Sequence, residues 1–237
     1  MVRRFYRRLV AASALFTVEL LIVWGLFLVC IVAFLYISSE VMEGGNIKFD
    51  EAAFGFAKDI SNPALSQFIK IVTFFASRQF LTPAALLLVA YFLFIRKHRW
   101  YSLKVPVVAL GSISLNLVLK FFFDRERPGN QLVESSGLSF PSGHSMVAAS
   151  FYGLLIYLVW HNVKDKTLRN MLIALLVIFV FLIGFSRIYL RVHYATDVVA
   201  GFAAGFLWVV IGIGTLRRIE RVTKKEVAPV VEEETPA

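Results

Sequence analysis

Six stretches of the chain are apolar almost without interruption, at about residues 16–37, 80–95, 103–123, 144–161, 171–186 and 197–216. A helix rises about 1.5 Å per residue, so each run reaches or approaches the ~20 residues needed to cross a ~30 Å hydrocarbon core. Charged residues, Gly and Pro punctuate the runs, and no polar stretch of useful size stands between them. The pattern predicts an all-α fold, a polytopic membrane helical bundle of six transmembrane helices forming one integral-membrane domain over residues 1–220.

The segment 44–78 follows a different rule. "NIKFDEAAFGFAKDI" and "NPALSQFIKIVTFFAS" set Lys and Asp among Phe at helix-like intervals, as helices lying in a membrane interface do. An extracytoplasmic interfacial helical cap is predicted there, with residues 62–78 open to a second reading as a short or re-entrant span. The end of the chain, "EVAPVVEEETPA", is polar and acidic without a periodic apolar face, so residues 221–237 are predicted as a disordered cytoplasmic tail. At the other terminus "MVRRFYRR" before an apolar run resembles a signal peptide. The run is too long for a typical signal core and no small-residue cleavage site follows promptly, which favours an uncleaved first span.

Composition agrees with this picture: 58% of residues are hydrophobic and 17% charged, against roughly a quarter charged in soluble domains. The net charge of +9 invites a nucleic-acid partner, but the basic residues form short clusters beside apolar runs rather than a stripe with exposed aromatics. The expected partners are the bilayer and a membrane-borne substrate, with no nucleic acid; nothing in the sequence bears on oligomeric state. Sixteen Lys and Arg fall at the two termini and in alternate connections, nine in the others. The inside excess of positive charge predicts an inner-membrane protein with both termini cytoplasmic. Cys30, the only cysteine, excludes an intrachain disulfide and a cysteine-based metal site.

Three polar segments lie at span ends on the predicted outer side, where an unpaired buried charge is costly. In "KFFFDRERP" Lys120 closes the third span, and Arg127 and Pro128 follow. Taken singly, this is equally a lysine snorkelling to the interface. In "FPSGHS" Pro141 stops the preceding chain, Ser142 is a helix cap, and Gly143 lets backbone approach a ligand. A helix start of this kind binds anions through free N–H groups and a partial positive charge, with His144 within a turn; an ordinary helix start is the plain alternative. In "SRIYLRVHYATD" His193 and Asp197 are four apart and share a face if that segment is helical. A carboxylate on one imidazole nitrogen leaves the other as a nucleophile or base, whereas a capping Asp197 beside a surface His193 is the plain alternative. All three segments fall on one side of the bilayer, and only His144 and His193, of four histidines, share that side. Asn116, one turn before Lys120, reads as an interhelical hydrogen-bond partner, and Glu19 as a partner of the N-terminal arginines. Asp124 and Glu126 are expected to pair with Arg125 and Arg127 rather than form a carboxylate site for Mg²⁺.

Together, Lys120-x6-Arg127-Pro128, Pro141-Ser142-Gly143-His144 and Ser186-Arg187-x5-His193-x3-Asp197 resemble the three signature motifs of the type 2 phosphatidic acid phosphatase family, in order and without substitution. The resemblance covers about residues 120–197, and the six spans are similar to the family's integral-membrane lipid phosphate phosphatase branch. It implies catalytic roles for His193 as nucleophile, Asp197 as the group holding its tautomer and His144 as general acid and base. It implies phosphate binding by Lys120, Arg127, Arg187, Ser142 and the Gly143 amide. Those five contacts leave no evident need for a metal or other cofactor. Expected substrates are phosphatidic acid, phosphatidylglycerophosphate or an undecaprenyl-type polyprenyl diphosphate, hydrolysed on the extracytoplasmic face. A phosphotransferase of the same superfamily and a non-catalytic transporter or anion-binding membrane protein are the alternatives.

Overall fold

The computed structural model describes residues 18–44 and 48–233, with side chains over residues 20–44 and 48–224. Those residues form eight helices: α1 (Val18–Met42), α2 (Lys48–Asp59), α3 (Pro63–Phe74), α4 (Arg78–Ala90), α5 (Arg99–Phe123), α6 (Gly143–Asn162), α7 (Lys166–Tyr189) and α8 (Ala195–Glu233). No strand occurs among the described residues. A π-helical turn, Tyr91–Ile95, extends α4. Six helices are long and apolar enough to cross a membrane: α1, α4 with its extension, α5, α6, α7 and α8 to Lys224. Each coincides with a predicted run, generally lengthened by a few residues at its ends, because flanking polar residues cap helices as readily as they interrupt hydropathy. The "MVRRFYRR" segment and the side chain of Glu19 lie outside the described residues. Beyond residue 220, where a disordered tail was expected, α8 continues as helix to Glu233.

The segment 44–78 is two short helices, α2 and α3, of 12 residues each. At about 1.5 Å per residue neither crosses a hydrocarbon core, so α3 does not span. Asn62 caps α3 through its side chain, with Pro63 at the first position, where its missing N–H costs nothing. The cap docks on the bundle through Ile69 and Ala57 against Tyr189 of α7 and Leu190 just after it, all buried. The Tyr189 hydroxyl lies 2.8 Å from Ser66 Oγ and 3.2 Å from Ser61 Oγ. One tyrosine thus ties α3 and the link that precedes it to the end of α7.

α6 is the central helix, packed chiefly on α8 and α7, with α5 on another side. α8 reaches α6 closely because Gly201 has no side chain: a Cβ there would lie 2.7 Å from the Ser142 carbonyl oxygen and 3.0 Å from Ser145 Cβ. Small residues let helix backbones approach in this way inside a bilayer. The approach joins the start of α6 to the start of α8. At the far end of α5 and α8, Lys104 is buried against Glu220 (3.4 Å) and beneath the Tyr101 ring, 4.8 Å away.

Candidate active site

The three polar segments meet at the end of the bundle covered by α2 and α3. α7 ends where Arg191 takes a left-handed φ of 52°, reversing the chain into a turn closed by the N–H groups of Val192 and His193 donating to Arg187 O at 3.1 and 3.3 Å. His193 therefore stands on a turn, not on the helix that its spacing from Asp197 suggested. The pair meets for another reason. Asp197 is the third residue of α8, and its carboxylate folds back over the helix start: Oδ2 accepts from Tyr194 N–H at 3.0 Å and from His193 Nδ1 at 3.4 Å. A first-turn carboxylate bonded to the N-cap amide is half of a capping box, so the helix start itself aims this carboxylate.

His193 is 2% exposed. Arg127 Nη1 donates to its Nε2 at 3.2 Å, and because a guanidinium has only donors, Nε2 is the acceptor and the ring proton sits on Nδ1 facing Asp197. Ser139 Oγ donates to Asp197 Oδ2 and lies 3.3 Å from His193 Nδ1. Burial pushes the His193 pKa down to about 4, outweighing the pull of Asp197; Arg127 and Arg187 add to the depression. The imidazole is thus neutral at neutral pH, with its Nε2 lone pair turned to the cations.

Three cations gather in this region, with Arg127 in contact with that nitrogen and all three within electrostatic reach of His144. Lys120, in the last turn of α5, donates to the carbonyls of Leu138 and Ser139, the latter at 3.3 Å. Asp124 ends α5 with a left-handed φ of 45° and an N–H bond to Lys120 O, turning the chain back toward the bundle. Arg127 also donates from Nε to Gly137 O at 2.8 Å and from Nη1 to Val192 O at 2.7 Å. Arg187 Nη1 donates to Thr73 Oγ1 of α3 at 2.5 Å, while its Nε is buried without a partner among the described residues. None of the three forms an ion pair there: the described carboxylates near them, Asp50 and Asp197, are held by Arg125 and His193.

The start of α6 faces the same point. Ser142 Oγ accepts from Ser145 N–H at 3.4 Å and Ser145 Oγ at 2.9 Å, and Ser142 N–H donates to Asp197 O at 2.9 Å. The first-turn amides of α6 carry the partial positive charge of a helix start. Gly143 is close to Asn116: a Cβ would lie 3.0 Å from Asn116 Oδ1, and Asn116 Nδ2 donates to Pro141 O, just before α6, at 3.2 Å and to Met146 Sδ of α6 at 3.6 Å, the latter being the interhelical contact expected of it. His144 follows, half-buried, within the electrostatic reach of Arg187, His193, Arg127 and Lys120.

Every sequence-selected site residue therefore lies in this region, but the expected pairing of Arg125 and Arg127 with Asp124 and Glu126 does not occur. Arg125 bonds Asp197 Oδ1 at 2.7 Å and Asp50 Oδ2 at 3.1 Å, and Arg127 bonds carbonyls and His193. Adjacent residues in the turn after α5 point apart, which removes the local partner. Sequence reading also missed Ser139, Thr73 and Asp50. None belongs to a motif, and Asp50 differs from the neighbouring acidic residues of α2 only in being buried.

A neutral imidazole nitrogen beside three clustered cations that form no ion pair among the described residues, near a helix N-terminus, suits a multiply charged anion carrying an electrophilic centre. A phosphoryl group has that chemistry.

The comparisons with known proteins agree. The PAP2 superfamily model matches residues 101–220. Phosphatidylglycerophosphatase B of Bacillus subtilis strain 168 is 34% identical over 194 residues, covering 81% of this chain and 95% of the relative. YbjG of Escherichia coli K12, provisionally named an undecaprenyl-diphosphatase, is 27% identical over 56% of this chain and 66% of its own length. The crystal structure of a transmembrane PAP2-type phosphatidylglycerolphosphate phosphatase from Bacillus subtilis superposes with a TM-score of 0.72 at 32% identity, covering 81% of this chain and 96% of that one. The chain belongs to the PAP2 superfamily, among its multi-span membrane phosphatases.

Proposed function

We propose that this phosphatase removes the terminal phosphate from a membrane lipid phosphate through a phosphohistidine intermediate, without a metal ion. His193 Nε2 attacks phosphorus as the bond to the lipid oxygen breaks, and His144 gives its proton to that departing oxygen. Water, deprotonated by His144, then attacks the phosphohistidine, releasing inorganic phosphate and restoring Nε2. Lys120, Arg127, Arg187, the Ser142 hydroxyl and the Gly143 amide hold the phosphoryl oxygens; Arg127 leaves Nε2 for them as the ring nitrogen takes the phosphorus.

The observation that carries this reading is the polarity of His193: Nδ1 faces Asp197, and Nε2 faces cations that have no carboxylate of their own. The likeness to phosphatidylglycerophosphatase B supports phosphatidylglycerophosphate as the first substrate to try, with phosphatidic acid and polyprenyl diphosphates next. The excess of Lys and Arg on the other side of the bundle supports an extracytoplasmic site with both termini cytoplasmic.

The test is phosphate release over a panel of these lipids in detergent, with EDTA present and no acceptor added. Release is expected from at least one lipid. A strict need for Mg²⁺ would overturn the metal-free mechanism, and loss of the lipid phosphate only when an acceptor alcohol is added, with the phosphoryl group found on that alcohol and none released, would show the superfamily's phosphotransferase activity instead.

A further inference from the structure

Resting on that reading of His193 and Asp197, we infer that Arg125 and the cap residue Asp50 are positioning residues of the reaction, forming with Asp197 a chain of charges that runs from the cap to the nucleophile. Asp197 divides its two oxygens. Oδ2 serves the His193 side, at 3.4 Å from Nδ1, together with Ser139 and the Tyr194 amide. Oδ1 serves Arg125, its one partner among the described residues, and that bond, at 2.7 Å, is shorter than the contact to Nδ1. A charge-assisted bond of that length fixes the carboxylate plane, so the direction in which Oδ2 meets the imidazole is set from the far side.

Arg125 is itself held from three directions. Its guanidinium lies over the Tyr194 ring, 4.0 Å from the centroid. Nη1 also donates to Thr196 Oγ1 at 2.9 Å, and Nη2 to Asp50 Oδ2 at 3.1 Å. Asp50, 5% exposed although it belongs to an interfacial helix, accepts from Thr196 N–H and from Thr196 Oγ1, both at 2.8 Å. Donors and acceptors are consistent around this ring: the Thr196 hydroxyl donates to Asp50 and accepts from Arg125. The α2 carboxylate thus caps α8 from another part of the chain while holding the cation that holds Asp197.

The chemistry gives this chain a task. When Nε2 bonds to phosphorus with a proton on Nδ1, the ring becomes an imidazolium, and Asp197 must be ionised and correctly turned to face it. Arg125 favours the ionised form of Asp197 and also draws on its charge; Asp50 offsets part of that draw. The charged and titratable groups facing Asp197 are His193, Arg125, Lys120, Arg127 and Tyr194. Those around Arg125 are Asp197, Asp50, Tyr194 and, beyond the ring, Glu126. Removing the cation and removing the cap carboxylate should therefore move the pH dependence in opposite directions.

The experiment uses the full-length protein in detergent with the best lipid from the panel, comparing wild type, R125A, R125K, D50N and H193A over a pH series, with thermal unfolding of each as a control. R125A should lower kcat by about 10- to 100-fold, the usual effect of removing the partner that orients a reacting group. KM should stay within about threefold, and the acid limb of kcat/KM should move to higher pH. R125K, which keeps the charge but not the fork, should recover part of kcat and return the limb toward its wild-type position. D50N, which keeps an acceptor for the Thr196 amide, should lower kcat by less than R125A does and move the limb to lower pH. If folded R125A and D50N match wild type in kcat and pH profile, or both lose activity with the limb unmoved, the inference is overturned. If H193A retains turnover, the fault lies instead in the mechanism on which the inference rests.

Discussion

At one end of the bundle Lys104 is buried against Glu220, which also binds Lys224 at 2.9 Å, and Arg217 lies over the Tyr157 ring with its Nη2 2.5 Å from His161 Nε2. At the other end Arg187 is buried and Lys120 and Arg127 are half-buried, but their partners are carbonyls, one hydroxyl and one imidazole nitrogen. Residue types are nearly the same at both ends: lysine, arginine, histidine, tyrosine and a carboxylate. The difference is in charge balance. The first end neutralises its buried cation with a carboxylate, as stability asks; the second engages its carboxylates with Arg125 and His193 and leaves three cations without an ion pair among the described residues. Concentrated charge of one sign without a counter-charge is destabilising for the free protein and is what a phosphoryl group in transfer requires. The contrast separates a structural polar cluster from a functional one more sharply than residue identity does.

Substitutions at the two ends should fail in different ways. The largest effect is expected from R127A and R187A, each lowering kcat/KM by about 10²–10³-fold, on the order of 3–4 kcal/mol of transition-state stabilisation. Thermal stability should not fall, because each relieves repulsion. Steady-state phosphate release with parallel melting curves checks this, and variants that melt early while keeping their rate would reverse the assignment of the two ends. K104A should do the converse, losing about 2 kcal/mol of stability with kcat/KM within twofold below the melting temperature. That cost is set below the figure for a fully buried pair because Glu220 is partly solvated and keeps Lys224.

The bundle and the motif residues were readable in the sequence because their causes are local: apolar runs of membrane length, a Pro-Ser-Gly helix start, histidines beside cations. The His193–Asp197 pair was found by helical spacing although the structure joins the two across a helix start, since a turn followed by the first residues of a helix also brings positions four apart together. Arg125, Asp50, Thr73 and Ser139 were not readable. Each acts through a partner 58 to 114 positions away, and nothing in "KFDEAAFGFAKD" tells Asp50 from Asp59, one of which is buried on α8 while the other faces solvent. Adjacency on the chain misled for Asp124 and Arg125, because the left-handed residue that ends α5 turns successive side chains apart.

Two smaller effects refine the contrast. With its pKa pushed down to about 4, His193 should remain a free nucleophile well below the ordinary histidine range, so the acid limb of kcat/KM should fall near pH 4 rather than 6.5. For stability the sign is adverse: the unfolded chain takes up a proton near pH 6.5 that the folded chain refuses until about 4, so stability falls as pH drops through that window. A limb near 6.5 in the pH profile would show the ring to be solvated instead. The smallest change is expected of T73V, which removes the hydroxyl accepting from Arg187 while leaving the guanidinium in place. A loss of about fivefold in kcat/KM, on the order of 1 kcal/mol, with unchanged melting is predicted, and a loss as large as that of R187A would mean that α3, not Arg187, makes the decisive contact.

The most direct test is to quench the enzyme during turnover of a ³²P-labelled lipid phosphate and map the label. An acid-labile, base-stable phosphoryl group on residue 193, absent from H193A together with turnover, is the predicted result. Label on any other residue, or undiminished phosphate release by H193A, would contradict a nucleophilic histidine at the centre of the cationic pocket.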